Sequence, residues 1–418
     1  MNKLLPQLKR AKAAAKTVNN LPHAKRQQFL KNLATGLRTN TTTILLANTK
    51  DVAGFDPTDP MRDRLLLTPE RIEGMAREIE GLIALKDPIG KIYDARKRHG
   101  LTLHRQRVPM GVVGIIYESR PNVTTDVTAI CLKSGNVVIL KGGKEAQYSY
   151  KALMWVIHSA LTKAGITKDA VQMIDPTKRE LVTDLLTADG YIDLVVPRGS
   201  QGLIDFVRTT ATVPVIETGA GVCHTFVDNT ANLKKSAVVV FNAKTQRPSV
   251  CNALDTALVH KSIARKFLPL MAEQLKTMNV EIYADVPSYA ILQKHYPKKL
   301  LEKAKPADFG REFLSQRMSV KLVSGIDQAI EHINTYSSKH SEAILTNTSK
   351  HKQLFQQLVD AAVVYTNAST RFSDGAIFGL GSEIGNSTQK MHARGPMGPA
   401  EMTTYKWIVT GHYTPRPD

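Results

Sequence analysis

A lone cysteine in the stretch "QRPSVCN", residues 246–252, is the first candidate for chemistry in this sequence. Cys251 ends a polar turn between two strand-like runs, "KSAVVVFNAKTQ" and "ALDTALVH". A packing cysteine is expected inside an apolar periodic segment, whereas a thiol at a turn can face a cleft and react. Arg247, four positions earlier, would favour the nucleophilic thiolate form.

A glutamate precedes this cysteine by 34 positions, at the end of a predicted strand in "VIETGAGVCH". A carboxylate and a thiol together suggest a general base and a nucleophile. The alternative is that Glu217 is a solvated side chain in a strand-terminal turn, and the pattern alone favours that alternative.

Two further strand ends suit an anionic ligand. "VVILKGGKEA" places Lys141 and Lys144 between a strand and a helix, and "IDLVVPRGSQGLIDFV" places Gly199 and Ser200 likewise. Ligands of parallel sheets bind at the carboxyl ends of strands, where helix amides can hold phosphate. There is no G-x-G-x-x-G fingerprint, so ordinary solvated turns remain an alternative for both.

Length and composition indicate an ordinary globular protein with two domains. The chain has 418 residues, of which 42% are hydrophobic and 22% charged. The sequence contains no apolar run of about 18 residues, so no transmembrane helix is predicted. The N-terminus lacks the apolar core of a secretory signal. The three cysteines are widely spaced and lack metal-ligand spacing, which favours a reducing cytosol and predicts no metal site. Cys131 and Cys223 lie in apolar contexts and are predicted to pack.

A net charge of +19 raises the question of a nucleic-acid partner. The lysines and arginines are scattered over the whole length, with no basic run, zinc finger or aromatic-basic RNA motif. This distribution favours a basic enzyme with anionic small-molecule ligands over a nucleic-acid-binding protein.

The hydrophobic periodicity predicts helices first and a repeated strand–helix alternation afterwards. Residues 1–95 repeat apolar side chains at three- and four-residue spacing, and Thr68 followed by Pro69 is a helix start. Short β-branched runs such as "GNVVILK", "IDLVVP" and "VPVIET" then alternate with helical segments, up to about residue 220 and again beyond it. This pattern predicts two α/β units with parallel sheets.

Five long stretches together resemble one family. They are "YESRPNVT", "SGNVVILKGGKEA", "NAKTQRPSVCNALDT", "NASTRFSDGAIFGLGSEIGNST" and "MHARGPMGPAEMTTYKW". In this order they are similar to the gamma-glutamyl phosphate reductases, also called glutamate-5-semialdehyde dehydrogenases, of the aldehyde dehydrogenase superfamily. The resemblance covers nearly the whole chain. It implies an α/β, aldehyde dehydrogenase-like fold with two Rossmann-like parallel-sheet domains and a small oligomerisation β element.

The resemblance implies NADPH-dependent reduction of L-glutamyl 5-phosphate to L-glutamate 5-semialdehyde, the second step of proline biosynthesis from glutamate. Cys251 matches the family's nucleophile, which would form a thioester. The Cys251 amide and the side chain of Asn122 are the candidates for stabilising the oxyanion. Arg120 and Arg247 would bind the anionic groups of the substrate.

The implied cofactor is NADP(H). Lys141 matches the lysine at the adenosine ribose, and Lys144 stands where NAD-preferring relatives tend to carry a glutamate. A cation at this place favours the 2′-phosphate of NADP. Gly199 and Ser200 match the turn at the pyrophosphate, and Glu312 resembles the glutamate at the nicotinamide ribose.

The polar, basic loop 382–398 is either a structural loop or a further substrate contact through Lys390, His392 and Arg394. Glu217 conflicts with the implied reaction, because phosphate and not activated water cleaves the thioester in a reductase. A hydrolysing aldehyde dehydrogenase with Glu217 as base therefore stays open as a second activity.

The implied domains are an NADP-binding domain, a catalytic cysteine domain, and a C-terminal segment that returns to the first domain and the oligomer interface. Their expected ranges are 1–219, 220–385 and 386–418. The hairpin near 97–110 and the last strand, 404–413, resemble the superfamily's oligomerisation elements, which implies a homodimer or homotetramer.

A cytoplasmic location is expected, without a membrane or nucleic-acid partner, and glutamate 5-kinase is a possible protein partner. The alternative from another class is a basic binding protein that keeps the fold without catalysis. The joint presence of Cys251, Lys141 and Glu312 argues against that alternative.

Overall fold

The computed structural model describes residues 2–56 and 59–416. The chain divides into two compact units. Unit 1 comprises Met1–Thr218, Phe378–Gly385 and Pro396–Asp418. Unit 2 comprises Gly219–Ile377 and Asn386–Gly395. The sequence predicts an unbroken cysteine domain over 220–385, whereas unit 2 leaves 378–385 to unit 1 and takes the loop 386–395 instead.

Helices and strands fill most of both units. The α-helices are α1 (Leu5–Val18), α2 (His23–Thr39), α3 (Thr41–Val52), α4 (Pro60–Leu65), α5 (Pro69–Ala84), α6 (Pro121–Lys133), α7 (Gln147–Lys163), α8 (Leu181–Leu186), α9 (Gln201–Thr210), α10 (Leu233–Thr245), α11 (Ala264–Leu275), α12 (Val286–Leu292), α13 (Ile326–Tyr336) and α14 (Ser349–Leu358). The strands are β1 (Ile92–Arg98), β2 (Leu101–Pro109), β3 (Val112–Tyr117), β4 (Val137–Lys141), β5 (Val171–Met173), β6 (Leu194–Arg198), β7 (Cys223–Val227), β8 (Leu254–His260), β9 (Glu281–Ala284), β10 (Leu301–Lys303), β11 (Arg317–Val323), β12 (Ser341–Leu345), β13 (Val363–Thr366), β14 (Asn386–Ser387), β15 (Gly395–Pro396) and β16 (Thr403–Thr410). Among the described residues, none of the helices combines the length and apolar character needed to cross a bilayer.

The N-terminal helices follow the predicted periodicity. Helix α5 begins where the sequence places it: the Thr68 side chain accepts a hydrogen bond from the Arg71 amide, and Pro69 fills the first helical position. The expected helical region of residues 1–95 ends earlier, because β1 already begins at Ile92.

Unit 1 contains a four-stranded parallel sheet in the order β5-β4-β3-β6. Strands β3 and β4 are buried along their whole length, as expected for the centre of a sheet covered by helices. The predicted strand "VPVIET" contributes one isolated bridge, between Val195 and Val215. The carboxyl ends of β4 and β6 carry Lys141, Lys144, Gly199 and Ser200, four of the residues that the sequence assigns to a cofactor.

A second, antiparallel sheet of unit 1 has the order β1-β2-β16. Strands β1 and β2 form a hairpin around His99 and Gly100, which have φ of 48° and 76°. The hairpin starts before the predicted residue 97, and the last strand of the chain pairs with β2.

Unit 2 contains a seven-stranded parallel sheet in the order β10-β9-β11-β8-β7-β12-β13. The strand-like run "KSAVVVFNAKTQ" is in fact part of helix α10, so that expectation was wrong. The Asn232 side chain accepts a hydrogen bond from the Lys235 amide at 3.1 Å and begins the helix. Ala237, Val240 and Ala243 are buried at helical spacing, which decides the structure over β-propensity. The predicted α/β architecture with two parallel sheets and a small antiparallel sheet is confirmed.

Candidate active site

Cys251 lies in the turn that joins helix α10 to strand β8. The Ala253 amide donates to the Val250 carbonyl at 3.0 Å and closes this turn. Cys251 is partly exposed, whereas Cys131 and Cys223 are buried. Burial raises the pKa of both buried thiols, which keeps them protonated and unreactive. Of the three cysteines, Cys251 is the one that a dissolved substrate can reach.

The main chain of Cys251 is fixed by a glycine and a thiol. A Cβ built on Gly221 would lie 1.4 Å from the Cys251 carbonyl oxygen, so no larger residue fits there. The Cys223 Sγ donates to the same oxygen at 3.3 Å. The Gly221 amide in turn donates to Glu312 Oε1 at 2.8 Å. The predicted nucleophile and Glu312 therefore belong to one contact network within unit 2.

The residue after Cys251 is fixed to the loop that follows β13. The Asn252 Nδ2 donates to the carbonyls of Ser373 at 2.8 Å and Arg371 at 3.4 Å. The Thr370 hydroxyl donates to the Asn252 carbonyl at 2.8 Å. The sequence analysis did not single out Arg371. The available signal was an arginine inside "NASTRFSDG", one of the motifs that carry the family resemblance.

A buried pair of charges lies next to the cysteine turn. The ammonium of Lys244 is 3.7 Å from the carboxylate of Asp255. Burial raises the pKa of Asp255 to about 7 and lowers that of Lys244. The Asp255 carboxylate also accepts hydrogen bonds from the amides of Cys223 at 3.5 Å and Phe313 at 3.0 Å. The buried Asp255 of this pair thus fixes the backbone at Cys223 and at Phe313.

Lys141 ends strand β4 and is buried. Its Nζ donates to the carbonyls of Gly142 and Pro176, both at 3.1 Å, and desolvation lowers its pKa. Lys144 follows in an exposed position of the short 3₁₀ helix Lys144–Ala146. Beside Pro176 is a cleft of about 520 Å³. It is also lined by Gln147, Tyr150, Lys151, Met154, His158, Met173, Ile174, Asp175 and Thr177.

The two glycines after Lys141 are needed for packing. A Cβ on Gly142 would lie 2.5 Å from the Tyr150 ring, and one on Gly143 would lie 2.4 Å from the Ser119 hydroxyl. The structure explains the two glycines by the approach of neighbouring side chains.

The turn before helix α9 already binds a carboxylate. The Ser200 amide donates to Glu118 Oε1 at 2.7 Å, and a Cβ on Gly199 would lie 2.8 Å from the Glu118 side chain. Ser200 is the N-cap residue of α9. This helix start therefore offers amide donors to a negatively charged oxygen, as the N-termini of helices generally do.

Arg120 and Asn122 lie at the start of helix α6, Arg120 as its N-cap residue. The Asn122 Nδ2 donates to Asp126 Oδ2 at 2.9 Å. Burial, followed by the negative charge of Glu78, raises the pKa of Asp126. One amide N–H of the predicted oxyanion donor is therefore used within the helix.

Glu217 forms a two-pronged ion pair in unit 1. The Arg208 Nε donates to Glu217 Oε1 at 2.8 Å, and an Arg208 terminal nitrogen donates to Oε2 at 2.5 Å. Both carboxylate oxygens thus have a guanidinium partner. A general base needs an oxygen directed at the proton it removes, so this geometry favours a structural role for Glu217.

The loop 386–395 is anchored by one carboxylate. Asp360 lies 2.7 Å from Arg394, 3.1 Å from Lys390 and 3.4 Å from Lys339. The hydrogen bond from Arg394, with help from the two lysines, lowers the pKa of Asp360 to about 2. Arg394 and Lys390 therefore hold the loop in place, and His392 is exposed with a left-handed φ of 61°.

Each unit gathers its own part of the predicted site. Unit 1 carries the predicted residues at its strand ends, namely Arg120, Asn122, Lys141, Lys144, Gly199 and Ser200. Unit 2 carries Arg247, Cys251, Glu312, His392 and Arg394. Glu312, which is predicted from the sequence to bind the cofactor, thus belongs to the same unit as Cys251.

Comparisons with known proteins identify the family of the chain. The profile of the aldehyde dehydrogenase family matches residues 6–289. A gamma-glutamyl phosphate reductase of Bacteroides fragilis is 49% identical over 400 residues, 96% of each chain. One of Chlorobium chlorochromatii is 51% identical over 391 residues, 93% of each chain.

Solved structures give the same result. The crystal structure of gamma-glutamyl phosphate reductase from Thermotoga maritima matches with a TM-score of 0.94 and 44% identity, over 99% of this chain and 100% of that one. An acetylating aldehyde dehydrogenase from Geobacillus thermoglucosidasius, 16% identical, matches with a TM-score of 0.73 over 100% and 98% of the two chains. At that identity the second likeness concerns the fold alone.

The chain belongs to the aldehyde dehydrogenase family and is an oxidoreductase of that family. Within the family it groups with the gamma-glutamyl phosphate reductases, to which it is about half identical over nearly its whole length. The expected aldehyde dehydrogenase-like fold and the family resemblance are confirmed.

Proposed function

We propose that the protein uses NADPH to reduce L-glutamyl 5-phosphate to L-glutamate 5-semialdehyde and phosphate, a step of proline biosynthesis, through a thioester on Cys251. The observation that carries this proposal is a partly exposed thiol on a turn whose carbonyl is fixed against Gly221 and Cys223. Identity of about 50% to the gamma-glutamyl phosphate reductases supports the choice of substrate.

The first step is acyl transfer. The Cys251 thiolate forms a bond to the γ-carbonyl carbon, the bond from that carbon to the phosphate oxygen breaks, and the thiol proton ends on the released hydrogen phosphate. The tetrahedral intermediate carries an oxyanion that needs fixed donors. The Cys251 amide and Asn122 are the proposed donors, since the Asn122 amide has a second N–H beyond the one given to Asp126. The exposed Arg247 adds positive charge that favours the thiolate.

The donors of unit 1 fit a phosphorylated dinucleotide. The Lys141 ammonium has three N–H groups and gives two to backbone carbonyls, which leaves the third for a ribose hydroxyl. The amide of Ser200 already binds a carboxylate oxygen and suits a pyrophosphate equally well, next to Gly199. The exposed Lys144 suits the 2′-phosphate of NADP(H).

When bound, NADPH supplies the hydride that reduces the thioester carbonyl. Glu312 is proposed to hold the nicotinamide ribose. Collapse of the reduced adduct breaks the bond between carbon and Sγ, releases the semialdehyde and restores the Cys251 thiolate.

The remaining proposals concern the substrate and the assembly. The proposed substrate contacts are Arg120, Arg247, His392 and Arg394. Of these, Arg394 would share its guanidinium with Asp360.

The sheet β1-β2-β16 is proposed as the contact surface of a homodimer or homotetramer, because it carries exposed apolar side chains. Ile92, Tyr405 and Val409 on this sheet are 54%, 45% and 52% exposed. Light scattering on the purified protein tests the assembly.

The decisive experiment runs the reaction backwards. Glutamate 5-semialdehyde (as its cyclic form) and NADP are supplied at several phosphate concentrations, and NADPH formation is followed. The wild type is expected to require phosphate, Cys251→Ala to be inactive, and Cys131→Ala, which removes a buried thiol of unit 1, to stay active. Cysteine-dependent turnover without phosphate would instead favour the hydrolysing dehydrogenase. A folded wild type without any turnover would favour the non-catalytic binding protein.

A further inference from the structure

Arg371 is held against the cysteine turn from two sides. Its Nε donates to Gln246 Oε1 at 2.9 Å, and Gln246 begins the segment that leads to Cys251. Its carbonyl accepts from Asn252, the residue after the nucleophile, at 3.4 Å. The neighbouring Thr370 hydroxyl donates to the Asn252 carbonyl at 2.8 Å. The main chain of Arg371 is thus bonded to the residue after Cys251, and its guanidinium to the start of the segment that leads to Cys251.

Within residues 2–56 and 59–416, no carboxylate forms an ion pair with Arg371 or with Arg247. Burial lowers the pKa of Arg371, and the electrostatic interaction with Cys251 is the strongest influence that raises it. Asp374 exerts a weaker attraction of the same sign, and Arg247 opposes both. Two arginines therefore lie in or against the segment that carries Cys251, and their positive field suits a substrate anion.

We propose that Arg371 binds the phosphoryl group of the acyl phosphate while Cys251 attacks the carbonyl carbon. This inference rests on the proposed function and names the residue that recognises its leaving group. The phosphoryl oxygen is bonded to the carbon that Sγ attacks, so the phosphate of a bound substrate would lie close to the turn against which the guanidinium of Arg371 is held. The Nε of Arg371 is used by Gln246, which leaves the terminal nitrogens, a planar fork that matches phosphate.

The role of Arg371 follows from the charge that develops during the step. As Sγ bonds to the carbonyl carbon, the electron pair of the breaking C–O bond moves onto the phosphate. A guanidinium held in place stabilises this charge without having to reorganise. In the reverse direction the same residue binds the inorganic phosphate that attacks the thioester and releases Cys251.

The test separates the two substrates of the reverse reaction. Initial rates are measured against phosphate at saturating semialdehyde, and against semialdehyde at saturating phosphate. Arg371→Met is expected to raise the KM for phosphate about tenfold or more and to change the KM for semialdehyde less than about threefold. Arg371→Lys, which keeps the charge but loses the fork, is expected to lie between the wild type and Arg371→Met.

Arg265→Met is the matched control. Arg265 is exposed on helix α11 of the same unit, so this variant loses the same charge and is expected to keep both KM values. If Arg371→Met does not fold, Arg371→Lys carries the comparison, with a thermal unfolding curve to show that it is native.

Three results would overturn the inference. An unchanged KM for phosphate in both Arg371 variants removes the proposed contact. A rise confined to the KM for semialdehyde assigns Arg371 to the amino-acid end of the substrate. A wild type that needs no phosphate refutes the proposed function itself, which is distinguishable because it concerns the unmutated protein.

Discussion

The carbonyl oxygen of Cys251 occupies the space that a side chain at Gly221 would need. A Cβ at position 221 would come within 1.4 Å of that oxygen, less than half of a normal contact distance. Since the Gly221 amide also donates a hydrogen bond to Glu312, the glycine connects a carboxylate with the main chain of Cys251. The glycine is required here by close approach of two backbones and not by a left-handed φ.

Gly221→Ala is expected to displace the turn that carries Cys251. Because misplacing a reacting group by about 1 Å can cost a factor of about 100 in rate, we expect kcat/KM to fall by at least that order. Overpacking should also reduce the free energy of unfolding by about 1–3 kcal/mol. Steady-state kinetics and urea unfolding measure both effects. Gly325→Ala is the control, since a Cβ there meets no atom within 4 Å; equal behaviour of the two variants would contradict the prediction.

Glu217→Gln is expected to leave phosphate-dependent turnover within about threefold of the wild type. Its carboxylate is held by Arg208 through both oxygens, and breaking such a partly exposed pair costs about 1 kcal/mol of stability or less. NADPH formation from the semialdehyde, with and without phosphate, is the measurement. A phosphate-independent reaction that disappears in this variant would restore Glu217 as the base of a hydrolysing enzyme.

Local sequence patterns were sufficient where the physics is local. The start of α5 follows from the Thr68 hydroxyl and Pro69 alone. The run "KSAVVVFNAKTQ" was misinterpreted because three consecutive valines indicate a strand. Its helix is decided by the Asn232 cap and by the burial of one face against the sheet of unit 2, and burial is a tertiary property that β-propensity does not contain.

The candidate site shows the same division. Cys251 could be singled out from a polar turn and a family motif, because its proposed role depends on its own chemistry. The contact partners of Gly221 and Arg371 could not be predicted, because they are distant along the chain. Cys251 is 30 positions from Gly221, and Asn252 is 119 positions from Arg371. The engagement of Arg394 with Asp360 is likewise a contact that only the fold creates.

Lys144→Glu is expected to shift the cofactor preference from NADPH toward NADH. The exposed ammonium suits a 2′-phosphate, and the reversed charge would repel it. We expect kcat/KM for NADPH to fall by roughly ten- to a hundredfold, the value of one or two charge-assisted hydrogen bonds. The value for NADH should stay equal or rise. Lys168→Glu makes an equal charge change at an exposed site of unit 1 and should leave the ratio of the kcat/KM values for NADPH and NADH unchanged. A similar loss of kcat/KM for NADPH in both variants would show that only the overall positive charge of the protein matters.

His332→Gln is expected to make unit 2 less sensitive to acid. Burial, with help from the charges of His224 and Lys321, lowers the pKa of His332 to about 3, whereas an unfolded histidine titrates near 6.5. Between these values the unfolded state binds the extra proton. The free energy of unfolding therefore falls as the pH drops from about 6.5 toward 3, by up to about 1.4 kcal/mol per pH unit from this group. Above about pH 6.5 the imidazole of His332 is neutral in both states, so it causes no further change of the free energy of unfolding with pH.

The measurement is hydrogen exchange at amides of strands β11 and β12 between pH 7 and 5, after correction for the intrinsic exchange rates. Over this interval the free energy of unfolding should fall more in the wild type than in His332→Gln. The difference in slope should correspond to about one proton bound on unfolding. His295→Gln removes an exposed histidine of the same unit and should follow the wild type. Identical slopes for the wild type and His332→Gln would show that His332 is already protonated in the folded protein, despite its burial between His224 and Lys321.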